Sequence, residues 1–153
     1  MTYTLYTDGA TSNNKKGEGI GGYAWIILNE NKEKLKEERK KVVGTTNNEC
    51  ELMGIISGCQ NIIHSLSAFD KVEVISDSAY CIRCYKDKWW ENWLRNGWLN
   101  SKKQPVANKE LWELLIPFFK DNRFTFKNCK GHAGDYWNEY VDKLAVQARL
   151  QKI

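Results

Sequence analysis

The order of polar and apolar positions divides the chain into strands and helices in mixed sequence. Tyr3–Ala10, YTLYTDGA, is an aromatic and β-branched run that closes on an acid and a glycine. Such residues favour a strand, and the pattern predicts that Gly9 stops it with Asp8 at the carboxyl end. A polar, glycine-rich stretch, SNNKKGEGIGG, then feeds a second strand over Gly22–Leu28. Asn29–Lys34 reads as a hairpin turn and Leu35–Val43 as a charged third strand at a sheet edge. The first three strands are therefore expected to form an antiparallel meander.

Thr45-Thr46-Asn47-Asn48 clusters residues that cap helix N-termini. Beyond it Leu52, Ile55, Ile56, Cys59, Ile62, Ile63 and Leu66 recur with the period of one buried helix face. A strand over Lys71–Ser76 leads into Asp77 and a helix from about Ser78 to Lys88. Helical spacing stays plausible up to Arg95, where Asn96-Gly97 breaks it, and Pro105 bars an immediate new helix. A helix over Leu111–Lys120, with Trp112 and Leu115 in the core, precedes a strand over Arg123–Asn128. The last helix carries Val141, Leu144, Ala145 and Ala148 as its buried stripe. No linker, repeat or low-complexity segment interrupts this order. At 153 residues one domain spanning 1–153 is expected, large enough to bury its own core.

Composition narrows the setting. Apolar residues make up 42% of the chain and charged ones 27%, an ordinary globular balance. No apolar run approaches a membrane span and the N-terminus lacks a signal peptide's layout, so no membrane association is expected. Five cysteines without framework spacing point to reduced thiols and a cytoplasmic location. Cys81 and Cys84 form a C-x-x-C with no second pair. Zinc or redox use is a weaker reading there than two partly buried helix residues.

Net charge is +4, and its position says more than its size. Between Arg83 and Lys103 six basic residues face two acids, so that window alone carries the excess. Four of the seven tryptophans, Trp89, Trp90, Trp93 and Trp98, are interleaved with those bases. Two readings stay open: a small helical subdomain packing its own indoles, or a protruding nucleic-acid grip. Aromatics and cations on one excursion favour the grip.

The acids supply the candidate chemistry. Val72–Ala79, VEVISDSA, repeats the pattern of the first strand with Asp77 in the place of Asp8. In an open sheet, ligands sit outside the carboxyl ends of parallel strands, so adjacent strands would bring Asp8 and Asp77 together. Glu51 sits one turn before Ile55, on or beside a buried face, where an unpaired carboxylate is costly. The alternative makes it a capping-box partner of Asn48. Asp142 lies about 100° round from Val141, at the border of the last helix's stripe, and alone would read as a solvated acid. Clustered carboxylates remain ionised only with cations between them. Oxygen-only ligands select hard ions such as magnesium or manganese. Two such ions about 3.5–4 Å apart stabilise the attacking water and leaving oxygen of an in-line displacement at phosphorus.

YTDGA, TTNNECELM, ISDSAY, the NWLRNGW excursion and KGHAG-x-x-x-NE-x-x-D, in that order, resemble type 1 ribonuclease H along essentially the whole chain. The resemblance implies an α/β, ribonuclease H-like fold: a five-stranded mixed sheet with strands one to three antiparallel, four and five parallel to the first, and helices on both faces. The basic aromatic excursion would protrude from it. The implied activity is metal-dependent endonucleolytic hydrolysis of the RNA strand of RNA–DNA hybrids, leaving 5′-phosphate and 3′-hydroxyl ends. Two Mg2+ ions, with Mn2+ as an alternative, would be held by Asp8, Glu51, Asp77 and Asp142. His132 matches a loop histidine that assists proton movement or product departure, and Glu139 matches an acid near the second metal. For the substrate, Asn47 and Asn48 match residues that meet base edges in the minor groove. Thr46 and Asn108 match parts of a pocket for a DNA phosphate, and Trp89, Trp93 and Ser101 match the channel for the DNA strand. His64 has no counterpart.

The chain departs from the family at Gly44 and Glu49, where arginines are common, and at Ala79, where a polar residue is frequent. These changes touch none of the four acids and bear on hybrid affinity. Three rivals remain in view. A non-catalytic hybrid-binding module should lack at least one acid. An integrase, resolvase or transposase should carry further DNA-binding domains. Against the ribonuclease domain of a reverse transcriptase, Met1 directly before the first strand favours a stand-alone enzyme, and a monomer is expected.

Overall fold

The computed structural model describes residues 1–12, 19–129 and 135–151. Its centre is one sheet of five strands: β1 (Thr2–Thr11), β2 (Gly19–Leu28), β3 (Lys34–Thr45), β4 (Lys71–Ser76) and β5 (Phe124–Asn128). They lie in the order β3-β2-β1-β4-β5. β1, β2 and β3 pair antiparallel, β4 runs parallel to β1, and β5 parallel to β4. The mixed sheet implied by the motifs is the sheet found.

Helices α1 (Asn47–Ile62), α2 (Ala79–Lys86), α3 (Trp89–Asn96), α4 (Lys109–Lys120) and α5 (Tyr136–Leu150) cover it. Side chains alternate across a strand, so β2 serves both faces. Tyr23, Trp25 and Ile27 join the large core with α1 and α4, whereas Ile26 and Leu28 meet Val141 of α5. The main core runs from Leu5 through Leu52 and Ile55 to Trp112, Leu115 and Phe124, all buried. Burying each such side chain contributes roughly 1.5–3 kcal/mol. Among the described residues no helix is long and apolar enough to cross a membrane.

Several boundaries move from where the sequence puts them. β1 does not stop at Gly9; it continues to Thr11, with Gly9 opposite Tyr23 and Thr11 opposite Gly21. Gly9 is there for room. A Cβ at that position would stand 2.7 Å from the Glu51 backbone nitrogen and 2.8 Å from the Cys50 carbonyl carbon. Gly22 gives α5 the same access, since a Cβ there would meet the Ala145 carbonyl oxygen at 2.5 Å. Both glycines thus let a helix settle directly on the sheet.

α1 ends at Ile62, and Ile63 belongs to a 3-10 turn with Leu66 just beyond, both still packed on the core. The expected helix from Ser78 into the tryptophan region is two helices. Ser78 caps α2 through its side chain, which accepts from the Cys81 amide, and Lys88 adopts a left-handed φ of 56° that separates α2 from α3. Aromatic burial holds the break. The turn directs Trp90 against Phe119 and Trp93 against Trp112, with ring centroids 6.1 and 5.4 Å apart.

Candidate active site

The parallel pairing of β1 with β4 ends at Thr7 opposite Ser76, so Asp8 and Asp77 are the next residues on adjacent strands. Glu51 arrives from the first turns of α1, pressed onto β1 at Gly9. One carboxylate oxygen from each of Asp8, Glu51 and Asp77 lies within 4.8 Å of the others. Asp8 and Glu51 are 3% and 4% exposed, whereas Asp77 opens to solvent. Asp142 projects from the exposed side of α5, near enough to contribute side-chain hydrogen bonding at Asp8. The structure therefore brings all four acids to one end of the sheet, with three in a tight cluster and Asp142 at its margin.

The cap of α1 is Thr46, whose hydroxyl accepts from the Glu49 amide at 3.2 Å. Glu51 is thereby released from the capping-box role with Asn48, and its carboxylate faces the other acids. Burial, then the charges of Glu51 and Asp77, push the Asp8 carboxyl well above the usual range. Burial and Asp77 likewise raise Glu51, against an opposing interaction with the Gly9 amide. Asp8 Oδ2 and Glu51 Oε1 are buried without a hydrogen-bond partner. Buried acceptors left unpaired are costly, and a cation is the partner that would satisfy both. The all-oxygen donor set fits a hard divalent ion.

The residues matched to substrate contacts fall into groups beside this cluster. Trp89, Trp93 and Ser101 line one cavity of about 440 Å³ together with Asn92, Asn96 and Asn100. Trp93 is buried and stacks on Trp98, so its indole presents an edge of the cavity rather than a free face. The tryptophans are in this sense both core and wall. Asn108, at φ 63°, opens α4 and lines a second cavity of about 500 Å³ that Glu49 also reaches. Thr46 and Asn47 are half-buried and Asn48 exposed at the start of α1. Gly44 holds a left-handed φ of 74°, a conformation that disfavours arginine or any other side chain. His132 lies outside the described residues. Glu139 is exposed one turn before Asp142, and His64 sits exposed in the 3-10 turn. Cys81 and Cys84 are buried free thiols, and burial pushes Cys84 up to about 12.

Sequence reasoning missed Tyr80. Its hydroxyl accepts from Trp112 Nε1 at 3.1 Å and is also approached by the Asn108 amide. The only signal available was its place three residues after Asp77.

Sheet order and carboxylate cluster together define a protein of the ribonuclease H-like class. The family model described as RNase H matches residues 1–149. A Ribonuclease H of Syntrophomonas wolfei is 43% identical over 148 residues, covering 94% of this chain and 93% of its own. Among solved structures, LC9-RNase H1, a type 1 RNase H with the type 2 active-site motif, superposes with a TM-score of 0.80 at 24% identity, covering 97% of this chain and 72% of its own. LC11-RNase H1, solved in complex with an RNA/DNA hybrid, gives 0.66 at 21% identity and covers 95% of each chain. The chain belongs to the RNase H family, as its motifs implied.

Proposed function

We propose that the protein is a divalent-metal-dependent endonuclease that hydrolyses the RNA strand of RNA–DNA hybrids to 5′-phosphate and 3′-hydroxyl ends. The observation that carries this reading is the trio Asp8, Glu51 and Asp77, with buried, unpartnered oxygens on the first two. Membership of the RNase H family and the hybrid held by LC11-RNase H1 supply the substrate class.

Asp8, Glu51 and Asp77 would hold the cations, with Asp142 completing the set from α5. Two Mg2+ ions are proposed, Mn2+ being the alternative, and when bound they supply an activated water and charge stabilisation at the leaving oxygen. Rigidity is the protein's own contribution. Asp8 is fixed by pairing with β2 and Glu51 by the close seat of α1 at Gly9. Selectivity for RNA in the cut strand requires a contact to the 2′-hydroxyl, for which Glu51 and the backbone near Asp8 are the proposed groups. Asn47 and Asn48 would meet base edges, Thr46 and Asn108 a DNA phosphate, and Trp89, Trp93 and Ser101 the DNA strand. His132 is the proposed residue for proton movement or product departure. We place the enzyme in the cytoplasm as a monomer, with residues 1–153 as one catalytic domain.

The test uses a hybrid labelled in either strand, incubated with magnesium, with chelator, and with the Asp77→Asn variant. Cutting of RNA alone, lost with chelator and in the variant, is the expected result. Tight hybrid binding without cutting under either metal would overturn the proposal in favour of a binding module.

A further inference from the structure

The cavity beside Asn108 has an unusual balance of charge. Three carboxylates, Glu49, Glu110 and Glu113, line it with a single cation, Lys109. Among the described residues no ion pair joins Lys109 to any of them. The ammonium instead lies over the indole of Trp98, 5.6 Å from the ring centroid. Cation–π attraction of this kind holds the ammonium at the ring face.

Trp98 is itself held in place. Its φ of 68° is left-handed, rare for a bulky side chain, and follows Gly97 at 79°. Such a conformation is strained and persists only where the surroundings impose it. The imposing contacts are visible. The Trp98 amide donates to the Trp93 carbonyl at 2.8 Å, and the Val106 amide donates to the Trp98 carbonyl at 3.0 Å. Its ring stacks on Trp93 with centroids 5.7 Å apart and planes at 27°. Trp93 lines the first cavity and Lys109 the second, so the run Trp93–Trp98–Lys109 links the two.

We infer that Lys109 is a further substrate-binding residue, whose ammonium neutralises one backbone phosphate of the DNA strand as it passes from the tryptophan cavity to Asn108. The inference rests on the hybrid-binding reading above. A phosphate entering a space with three carboxylates meets repulsion unless a cation answers it. Glycine at 44 and glutamate at 49 supply none, and Lys109 is the cation that the cavity offers. Lying over the indole rather than paired with a neighbouring acid, its charge stays available to an incoming anion. A lysine acts here as a point charge on a flexible stem, and the ring narrows the positions it samples.

The experiment measures hybrid affinity by fluorescence anisotropy in the cleavage-blocked Asp77→Asn background, in chelator, over a series of salt concentrations. Each phosphate neutralised adds roughly 0.7–0.9 to the slope of log K against log salt. Lys109→Gln should reduce the slope by about that amount, and Lys109→Arg should restore most of it. Lys40→Gln, on the exposed edge strand β3, serves as the control and should leave the slope unchanged. An unaltered slope in Lys109→Gln, or an equal fall in Lys40→Gln, overturns the inference while leaving the hybrid reading intact. Absence of any hybrid binding by the wild-type chain overturns the hybrid reading itself.

Discussion

Replacing Asp8 by asparagine should make the metal-free protein more stable while removing its cleavage activity. Asp8 and Glu51 keep carboxylate oxygens within 4.8 Å of each other, both almost wholly buried. Two unit charges at 4.8 Å in an effective dielectric of about 20 repel by about 3.5 kcal/mol. The folded chain avoids part of this by retaining a proton, which is why both pKa values are raised. Below the ordinary carboxylate range the folded and unfolded chains are both protonated and nothing is lost. As pH rises towards the raised folded values, the unfolded chain sheds protons that the folded chain keeps, so stability falls. Asp8→Asn removes one partner of the repulsion and should recover about half of it, roughly 2 kcal/mol. For a chain of this length that raises Tm by about 4–8 °C. The assay is thermal unfolding in chelator at a pH within the ordinary carboxylate range and again at mildly alkaline pH, with the gain small at the first and growing as pH rises. Adding magnesium should raise the wild-type Tm by preferential binding to the folded state and leave the variant nearly unmoved. A lower Tm for Asp8→Asn in chelator at alkaline pH, or a gain independent of pH, would refute the reasoning.

Two further outcomes follow from packing. Gly22→Ala would set a Cβ against the Ala145 carbonyl oxygen and the Arg149 nitrogen, both backbone atoms of α5, and should cost at least about 1–3 kcal/mol in urea unfolding. Cleavage should fall with it, because the displaced helix carries Asp142. Cys84, buried with its thiol pushed up to about 12, should resist a disulfide-exchange reagent at neutral pH and react only on unfolding. Rapid native-state labelling at that residue would contradict its burial.

Much of this was legible in the sequence because strong periodicity reflects burial. The face of α1 and the stripe of α5 were readable for that reason, and Asp8 and Asp77 followed from two strands with the same closing pattern. What was not legible depended on distant contacts. Gly9 looked like a strand stop, and only the approach of α1 explains why the strand runs through it. The break between α2 and α3 has no local cause in Asp87-Lys88; it follows from the burial of Trp90 and Trp93 by residues of α4. The position of Glu51 at the site likewise needed Thr46 to be the cap, which four adjacent capping residues left undecided.

The length of β1 has a consequence for how the chain can vary. From Thr4 to Thr11 every residue of β1 is registered against β2, and Asp8 sits inside that run opposite Ala24. A single residue gained or lost upstream of Asp8 would slide the register and turn its side chain to the opposite face of the sheet, away from Glu51 and Asp77. Insertions and deletions in descendants of this chain should therefore be excluded from the first strand, so that the position of the acid is kept by counting residues as much as by their identity.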